Sequence, residues 1–260
     1  MTSFAFAVLT LWQRELVRFY RQPSRVVGAL APPIVFWLLI GTGLGPSFRA
    51  PGAAAADGTG YLAWFFPGVV ILILLFTAIF SEISIIEDRR EGFLQAVLVA
   101  PVPRSAVVMG KVLGGTTLAL AQSVVFLLLG PAVGLRPASL TALGVLAAVL
   151  FLLAFALTSL AAAIAWWLDS TQGFHAIMNL FLIPMWLLAG TLFPAQGVPG
   201  WLGFVMRVNP LTYGVAALRR ALSPVPVVGP GLGLSVAVTA ACAALTFSVA
   251  AWVASRRPTR

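Results

Sequence analysis

The chain has 260 residues, of which 60% are hydrophobic, with a mean hydropathy of +1.02 and a formal net charge of +9. This composition excludes an ordinary soluble domain and places the chain in the membrane class. The sixteen basic residues are not gathered on one soluble module, which argues against nucleic acid as a partner.

The first predicted element is an amphipathic helix over residues 4–21. At about 100° per residue, Leu9 and Trp12 fall on one side of the helix, and Arg14 and Arg18 fall on the other. We expect this helix to lie in the membrane interface, with its arginines meeting anionic lipid or a cytoplasmic partner. A basic flank that only sets the topology is the alternative.

Six apolar segments are long enough to cross a bilayer. A span needs roughly 20 mostly apolar residues to cover about 30 Å of hydrocarbon, and its backbone groups must be satisfied within the segment. The sequence therefore predicts an all-α membrane protein with six transmembrane helices. The predicted spans are residues 26–45, 62–83, 106–132, 139–168, 174–193 and 232–254.

The basic residues sort by membrane side, and the side with more of them is cytoplasmic by the positive-inside rule. Both termini are therefore predicted to be cytoplasmic, with a short external loop at residues 46–60. Arg219 and Arg220 contradict this rule. The eleven basic residues on the predicted cytoplasmic side are Arg14, Arg18, Arg21, Arg25, Arg89, Arg90, Arg104, Lys111, Arg256, Arg257 and Arg260.

A cluster of charge stands directly behind the second predicted span. Five consecutive charged residues, from Glu87 to Glu91, precede a short amphipathic stretch that Pro101 and Pro103 end. This pattern predicts a short, charged, amphipathic cytoplasmic helix that ends before Pro101. A stop-transfer cluster followed by a solvated loop is the alternative.

The segment 194–231 contains six prolines, which separate two short apolar pieces near residues 198–207 and 211–222. Neither piece is long enough to span a bilayer. Two short helices that dip into the outer leaflet and return are predicted here. An ordinary external loop with interfacial helices is the alternative.

The sequence contains no motif for catalysis or for a metal site. Gly110 and Lys111 are followed by Val112, so no Walker A string occurs, and no HExxH string or cysteine pair is present. His175 is the only histidine. We therefore expect this chain neither to hydrolyse ATP nor to bind a metal ion.

No acidic residue falls at the centre of a predicted span, since Glu82 and Asp169 lie at predicted cytoplasmic ends. An ion-coupled carrier usually needs ionisable groups near the bilayer midplane. The placement disfavours such a carrier and suggests that a partner supplies the driving energy.

Several motifs, in this order and spacing, resemble the integral membrane subunits of ABC-2 type exporters over nearly the whole chain. These motifs are Phe66-Pro67-Gly68, Glu91-Gly92-Phe93, Ala100-Pro101-Val102-Pro103-Arg104, Gly110-Lys111, the run from Pro184 to Pro194, Pro199 with Trp201, Asn209-Pro210-Leu211-Thr212-Tyr213 and Leu218-Arg219.

The resemblance implies one six-helix transmembrane domain over residues 1–260 in a bacterial inner membrane. The subunit would dimerise with a second copy of itself or a paralogous permease, on two copies of an ATP-binding subunit that holds ATP and magnesium. Residues 4–21 would be a connecting helix, 87–100 a coupling helix and 194–231 an external re-entrant pair. No cofactor is expected in this chain, and its surroundings are membrane lipid.

The resemblance also assigns roles to individual residues. Those expected to couple to the ATP-binding subunit are Glu87, Asp88, Arg89, Arg90, Glu91, Gly92, Phe93, Leu94, Arg104, Lys111, Arg14 and Arg18. Those expected in the external re-entrant motif are Asn209, Pro210 and Tyr213.

The expected function is ATP-driven export of a hydrophobic or amphipathic, drug-like small molecule or a lipid from the cytoplasmic side. An exporter of lipid-linked polysaccharide or oligosaccharide, an ion-coupled secondary transporter and a membrane scaffold that does not transport are the alternatives. Aromatic side chains could line the substrate path, although such residues more often face lipid or a neighbouring helix. The path candidates are Phe65, Phe66, Phe76, Phe181 and Trp186.

Overall fold

The computed structural model describes residues 2–45, 60–99, 102–195, 197–223 and 229–256, and the regular structure within them is entirely helical. A 3₁₀ turn at Gly130–Val133 follows the fifth helix, and a π turn at Leu187–Thr191 ends the seventh. The ten helices are α1 Thr2–Tyr20, α2 Pro23–Leu44, α3 Gly60–Arg90, α4 Phe93–Val99, α5 Arg104–Leu127, α6 Leu140–Trp167, α7 Thr171–Trp186, α8 Gly200–Val208, α9 Pro210–Leu222 and α10 Leu232–Arg256.

The all-α membrane class is confirmed. Six helices are long and apolar enough to cross a membrane, namely α2, α3, α5, α6, α10 and α7 with its π turn. They alternate in direction, so the bundle has two ends. We call these the Arg90 end, where α3, α6 and α10 finish, and the Gly60 end, where α8 and α9 lie.

Helix α3 is the centre of the bundle and packs against α2, α5, α6 and α7. Its sequence is apolar on every side over most of its length, which is the pattern of a helix buried all round. The most apolar stretch of α3 is 89% buried, whereas the corresponding stretches of α2 and α10 are only 22% buried. Helices α2 and α10 therefore present faces that lipid or another chain can cover.

The predicted coupling helix over residues 87–100 is divided between two helices in the structure. Helix α3 continues past residue 83, the predicted end of the span, and carries the charged residues up to Arg90. The chain then turns at Gly92, whose φ of 77° is readily adopted only by glycine. A separate helix, α4, follows, while residues 100 and 101 lie outside the described residues.

Helix α1 packs along α5. Leu11 is buried against α5, and the Trp12 indole donates a hydrogen bond to Thr117 Oγ1 at 3.0 Å. The side of α1 away from Leu11 exposes Phe6 and Leu9, which is consistent with the predicted interfacial location. Arg14 and Arg18, however, bond to carboxylates of this chain and not to lipid or a partner. Because α1 is held by protein on one side, it is more than a basic flank that sets topology.

Two short helices, α8 and α9, occupy the described part of the segment 194–231. Neither crosses the bundle, and α9 packs on α6 and α10. Their position relative to the outer leaflet stays a prediction. The predicted external loop at residues 46–60, except Gly60, lies outside the described residues, as do residues 196 and 224–228, Arg257 and Arg260.

Close packing of α1 on α5 depends on a glycine in α5. A Cβ atom on Gly110 would lie 2.8 Å from Leu11 Cβ and 3.0 Å from the Val8 carbonyl oxygen. We expect Gly110→Ala to lower the free energy of unfolding by about 1–3 kcal/mol, since overpacking forces backbone shifts. Thermal unfolding in detergent micelles measures this change.

Gly144→Ala in α6 is the matched control, since a Cβ on Gly144 meets nothing within 4 Å. Replacing an exposed helical glycine by alanine stabilises a helix by up to about 1 kcal/mol. Equal melting temperatures for the two variants would contradict the close contact between α1 and α5.

Candidate functional site: an ion-pair network at the Arg90 end

Asp88, near the end of α3, is fully buried and accepts hydrogen bonds from three basic side chains. Arg14 binds both carboxylate oxygens in a forked arrangement, at 2.7 and 2.9 Å. Arg18 donates to Oδ1, and Lys111 donates to Oδ2 at 2.6 Å. Burying a carboxylate is costly unless it is paired and hydrogen-bonded, and here every donor comes from another helix.

Lys111 is the second buried charge of this site. Its ammonium group donates to Asp88 Oδ2 at 2.6 Å, to Glu15 Oε1 at 2.9 Å and to Ser84 Oγ at 3.2 Å. An ammonium group has three donors, so these bonds satisfy it completely. Lys111 thereby joins α5 to both α1 and α3.

Glu87, one residue before Asp88, extends the same network toward α2. It accepts a hydrogen bond from Arg18 at 2.8 Å and from Arg25 at 2.6 and 2.7 Å. Glu91 lies at the exposed edge, with a carboxylate oxygen 3.8 Å from Arg18. The network therefore connects α1, α2, α3 and α5.

The charges of the network balance. Four basic side chains face four acidic ones, and no member needs a counter-ion from outside the chain. Burial lowers the pKa of Arg14, but the hydrogen bond and charge of Asp88, with the charges of Glu15 and Glu91, outweigh burial and raise it above its usual value. The members are Arg14, Arg18, Arg25, Lys111, Glu15, Glu87, Asp88 and Glu91.

Helix α4 is attached to this network. The Arg14 guanidinium lies over the Phe93 ring, 3.7 Å from its centroid, and Leu94 is fully buried. The other side of α4 exposes Ala96 and Val99. The network thus holds one side of a short helix whose other side is exposed.

Three arginines predicted for the coupling set lie outside the network. Arg89 donates to the carbonyls of Trp166 and Leu168 and to the Asp169 carboxylate, and Arg90 donates to the Asp169 carbonyl. Arg104 donates to carbonyl oxygens of Ala254 and Ser255. These side chains satisfy carbonyls at the ends of α6 and α10, where cations are favoured.

The five aromatic residues predicted to line the substrate path differ in burial: three are buried and two keep exposed surface. Phe65, Phe66 and Trp186 are buried in the core, which does not fit a path-lining role in this conformation. Phe66 stacks on Phe126 with ring centroids 4.6 Å apart, and the Trp186 indole donates to the Gly68 carbonyl at 2.7 Å. Their burial follows from the central position of α3.

Phe76 and Phe181 keep surface that another molecule can contact. Phe76 is partly buried, whereas Phe181 on α7 is 64% exposed. Of the five aromatic residues predicted to line a path, Phe181 is the one with a large exposed ring.

The three residues predicted for the external motif build the junction of α8 and α9. The Asn209 side chain accepts a hydrogen bond from the Leu211 amide and donates to the Met185 carbonyl. Pro210 occupies the first turn of α9, where its missing amide proton costs nothing. Tyr213 donates to the Arg207 carbonyl at 2.9 Å.

Glu82 lies deeper in the bundle than the sequence indicated. Because α3 continues for two more turns, Glu82 is not at a helix end, and it is only 1% exposed. Its Oε2 has no hydrogen-bond partner among the described residues. Glu82 is therefore an acidic residue within the bundle, contrary to its predicted position at a cytoplasmic end.

Sequence reasoning missed Glu15, Arg25 and Ser84 as members of the network. Glu15 is only 3% exposed in the structure, although it directly follows Arg14 and lies three residues before Arg18. A lone acidic residue among basic ones on an amphipathic helix was the available signal. Ser84 carries no such signal, because a serine in an apolar helix is common.

The fold and this site define a multi-pass, all-α membrane protein with an ion-pair network and an attached short helix, α4, at one end. The sequence profile of the ABC-2 type transporter family matches residues 7–223. The chain therefore belongs to the ABC-2 type transporter family, whose members are membrane permease subunits that work with an ABC ATP-binding subunit.

Three similar proteins illustrate the range of this family. Nodulation protein J of Sinorhizobium fredii is 24% identical over 254 residues, which cover 96% of this chain and 93% of that protein. A daunorubicin resistance ABC transporter permease of Streptomyces coeruleorubidus is 24% identical over 218 residues, covering 83% and 75%. The transport permease ycf38 of Cyanophora paradoxa is 26% identical over 223 residues, covering 84% and 76%.

The burial of Lys111 and Asp88 gives a direct test of the network. We expect Lys111→Met to lower the free energy of unfolding by about 3–5 kcal/mol, because it leaves the buried carboxylates of Glu15 and Asp88 with one positive charge too few. Lys111→Met combined with Asp88→Asn is expected to cost less than the sum of the two single substitutions, since neighbours in one network couple. Thermal unfolding in detergent measures all three variants.

Asp169→Asn is the control. It breaks the salt bridge to Arg89, and the Asp169 carboxylate is 81% exposed. Exposed pairs contribute little to stability, so this variant is expected to melt close to the wild type. A Lys111→Met variant as stable as Asp169→Asn would contradict the network.

Proposed function

We propose that this chain is the permease subunit of an ATP-driven exporter of hydrophobic or amphipathic small molecules or lipids. Two copies of the permease, or one copy and a paralogue, work with two copies of an ATP-binding subunit that holds ATP and magnesium. Membership of the ABC-2 family supports the transport class. The drug-resistance name of one relative supports an amphipathic substrate.

The network at the Arg90 end is the observation that carries this proposal. It fastens α4, which has an exposed face, to α3, the central helix of the bundle. A push on α4 by the ATP-binding subunit would reach α3 through buried charges rather than through a mobile loop. Close-packed protein interiors have low compressibility and transmit strain.

The Arg90 end is the cytoplasmic end in this proposal. The basic side chains of the network all lie there, and so do Arg89, Arg90 and Arg104. The positive-inside bias supports that orientation. The permease then takes up substrate from the cytoplasmic side and releases it at the Gly60 end, outside the cell membrane.

Exposed apolar surface on the outer helices supports a substrate that partitions into lipid. Leu39 of α2 is 68% exposed, and Leu180 and Phe181 of α7 are 68% and 64% exposed. Such faces can be covered by lipid, by a second permease copy or by an apolar substrate between two copies. We assign the substrate to the hydrophobic or amphipathic class on this basis.

A charge placed on the exposed face of α4 tests the proposed contact with the ATP-binding subunit. We expect Ala96→Arg to lower ATP-driven transport about tenfold, as disruption of a central interface residue does. The measurement is ATP hydrolysis and uptake of daunorubicin or a fluorescent phospholipid in inside-out proteoliposomes with the co-purified ATP-binding subunit.

Ala132→Arg is the matched control, since Ala132 is also exposed but lies at the Gly60 end of the bundle. It is expected to leave hydrolysis and transport near wild-type values. Equal activities for Ala96→Arg and Ala132→Arg would refute α4 as the contact. Transport of either probe without ATP, driven by an ion gradient, would refute the exporter itself.

A further inference from the structure

The end of α7 leaves backbone carbonyl groups that its own helix cannot satisfy. A helix end has up to four such carbonyls, and Gly190, with a φ of 76°, breaks the helix inside the π turn. Side chains from α9, from the residue before it and from α3 donate to them. The bonds are Asn209 to Met185 O at 2.6 Å, Arg219 to Gly190 O at 2.7 Å and Tyr61 to Leu192 O at 3.0 Å.

Arg219 of α9 joins the end of α7 to the start of α3. Besides its bond to Gly190, the guanidinium donates to the Trp64 carbonyl at 3.3 Å and lies 3.6 Å from the centroid of the Trp64 ring. A planar guanidinium can stack on a ring and donate in its plane at the same time, which an ammonium group cannot do.

The surfaces that Arg219 joins are packed without a gap. A Cβ atom on Gly68 of α3 would lie 2.7 Å from Thr191 Cβ in the π turn, and Thr191 is fully buried. The Trp186 indole also donates to the Gly68 carbonyl. We call this contact of α3, the π turn and α9 the Arg219 clasp.

We propose that Arg219 is a positioning residue for substrate release, which holds α9 and the π turn against α3 until α3 moves. The inference rests on the proposed function, because only a transport cycle supplies that movement. Asp88 and Trp64 are on the same helix, about 36 Å apart at 1.5 Å per residue. A tilt of α3 at the network therefore shifts Trp64 relative to Arg219 and opens the Gly60 end.

The chain offers a matched control in the neighbouring residue. Arg220 is also on α9, but it donates to the carbonyls of Gly229 and Pro230. Arg219→Met and Arg220→Met therefore remove the same charge from the same helix, and only the first removes the bonds to Gly190 and Trp64. Arg219→Lys keeps the charge and the buried position while losing the forked, stacking geometry.

The first experiment measures opening of the clasp without any transport. Thr191→Cys, in a Cys242→Ala background, is reacted with a water-soluble maleimide in the permease held in lipid nanodiscs. We expect Arg219→Met and Arg219→Lys to raise the labelling rate of position 191 at least about fivefold, as local opening does, with Arg220→Met unchanged. A wild-type labelling rate in Arg219→Lys overturns the proposal, even if Arg219→Met fails to fold.

The second experiment measures transport per ATP hydrolysed for daunorubicin and a fluorescent phospholipid, in proteoliposomes with the ATP-binding subunit. We expect Arg219→Lys to lower this ratio about tenfold, with ATP hydrolysis within about twofold of wild type. If hydrolysis and transport both fall and their ratio stays the same, Arg219 has a structural role only. If neither rate changes, Arg219 has no role in release. Either result overturns the proposal.

The two experiments separate the clasp from the proposed function. If the wild-type complex transports neither probe with ATP, export of this substrate class is refuted, and the role of Arg219 in release falls with it. The labelling rates would still report whether Arg219 holds the π turn on α3.

Discussion

A buried carboxylate needs positive partners from the protein, because water cannot solvate it. Asp88 is such a carboxylate, and its need for partners determines how the helices meet at the Arg90 end. Its partners come from α1 and α5, and its neighbour Glu87 adds Arg25 of α2. Because removal of any one of these charges leaves the buried network unbalanced, the pairs favour one arrangement of the four helices. The position of α4 follows from the same arrangement through Arg14 and Phe93.

Helix α3 carries this constraint from one end of the bundle to the other. Its Arg90 end belongs to the ion-pair network, and its Gly60 end contributes Tyr61, Trp64 and Gly68 to the Arg219 clasp. Between them α3 is largely buried, mostly against apolar side chains. The single helix Gly60–Arg90 therefore reaches both the network and the clasp.

Sequence reasoning recovered what local patterns encode. Long apolar runs identified all six candidate spans, and the helical period identified α1. The path assignment of Phe65 and Phe66 was not supported, although α3 is apolar on every side, which is the mark of a central helix. The periodicity of α3 therefore already contained the reason for their burial.

The direction in which the charges point could not be read from the sequence. Arg14 and Asp88 are 74 residues apart, and their contact depends on how closely α1 approaches α5 at Gly110. The same cluster of charges would look identical if it faced solvent. The carbonyls that receive Arg89, Arg104 and Arg219 are backbone groups, so no residue type in the sequence marks them.

The ion-pair network joins α1, α3 and α5 and holds α4 at the Arg90 end, so we expect these helices to move as one body. Electron cryo-microscopy of the permease with its ATP-binding subunit, without nucleotide and with ATP trapped, tests it most directly. We expect the bonds of Asp88 to Arg14 and Lys111 to persist in both states while α3 tilts and α4 contacts the ATP-binding subunit. Separation of α1 from α3 between the two states, with Asp88 losing these partners, would contradict it.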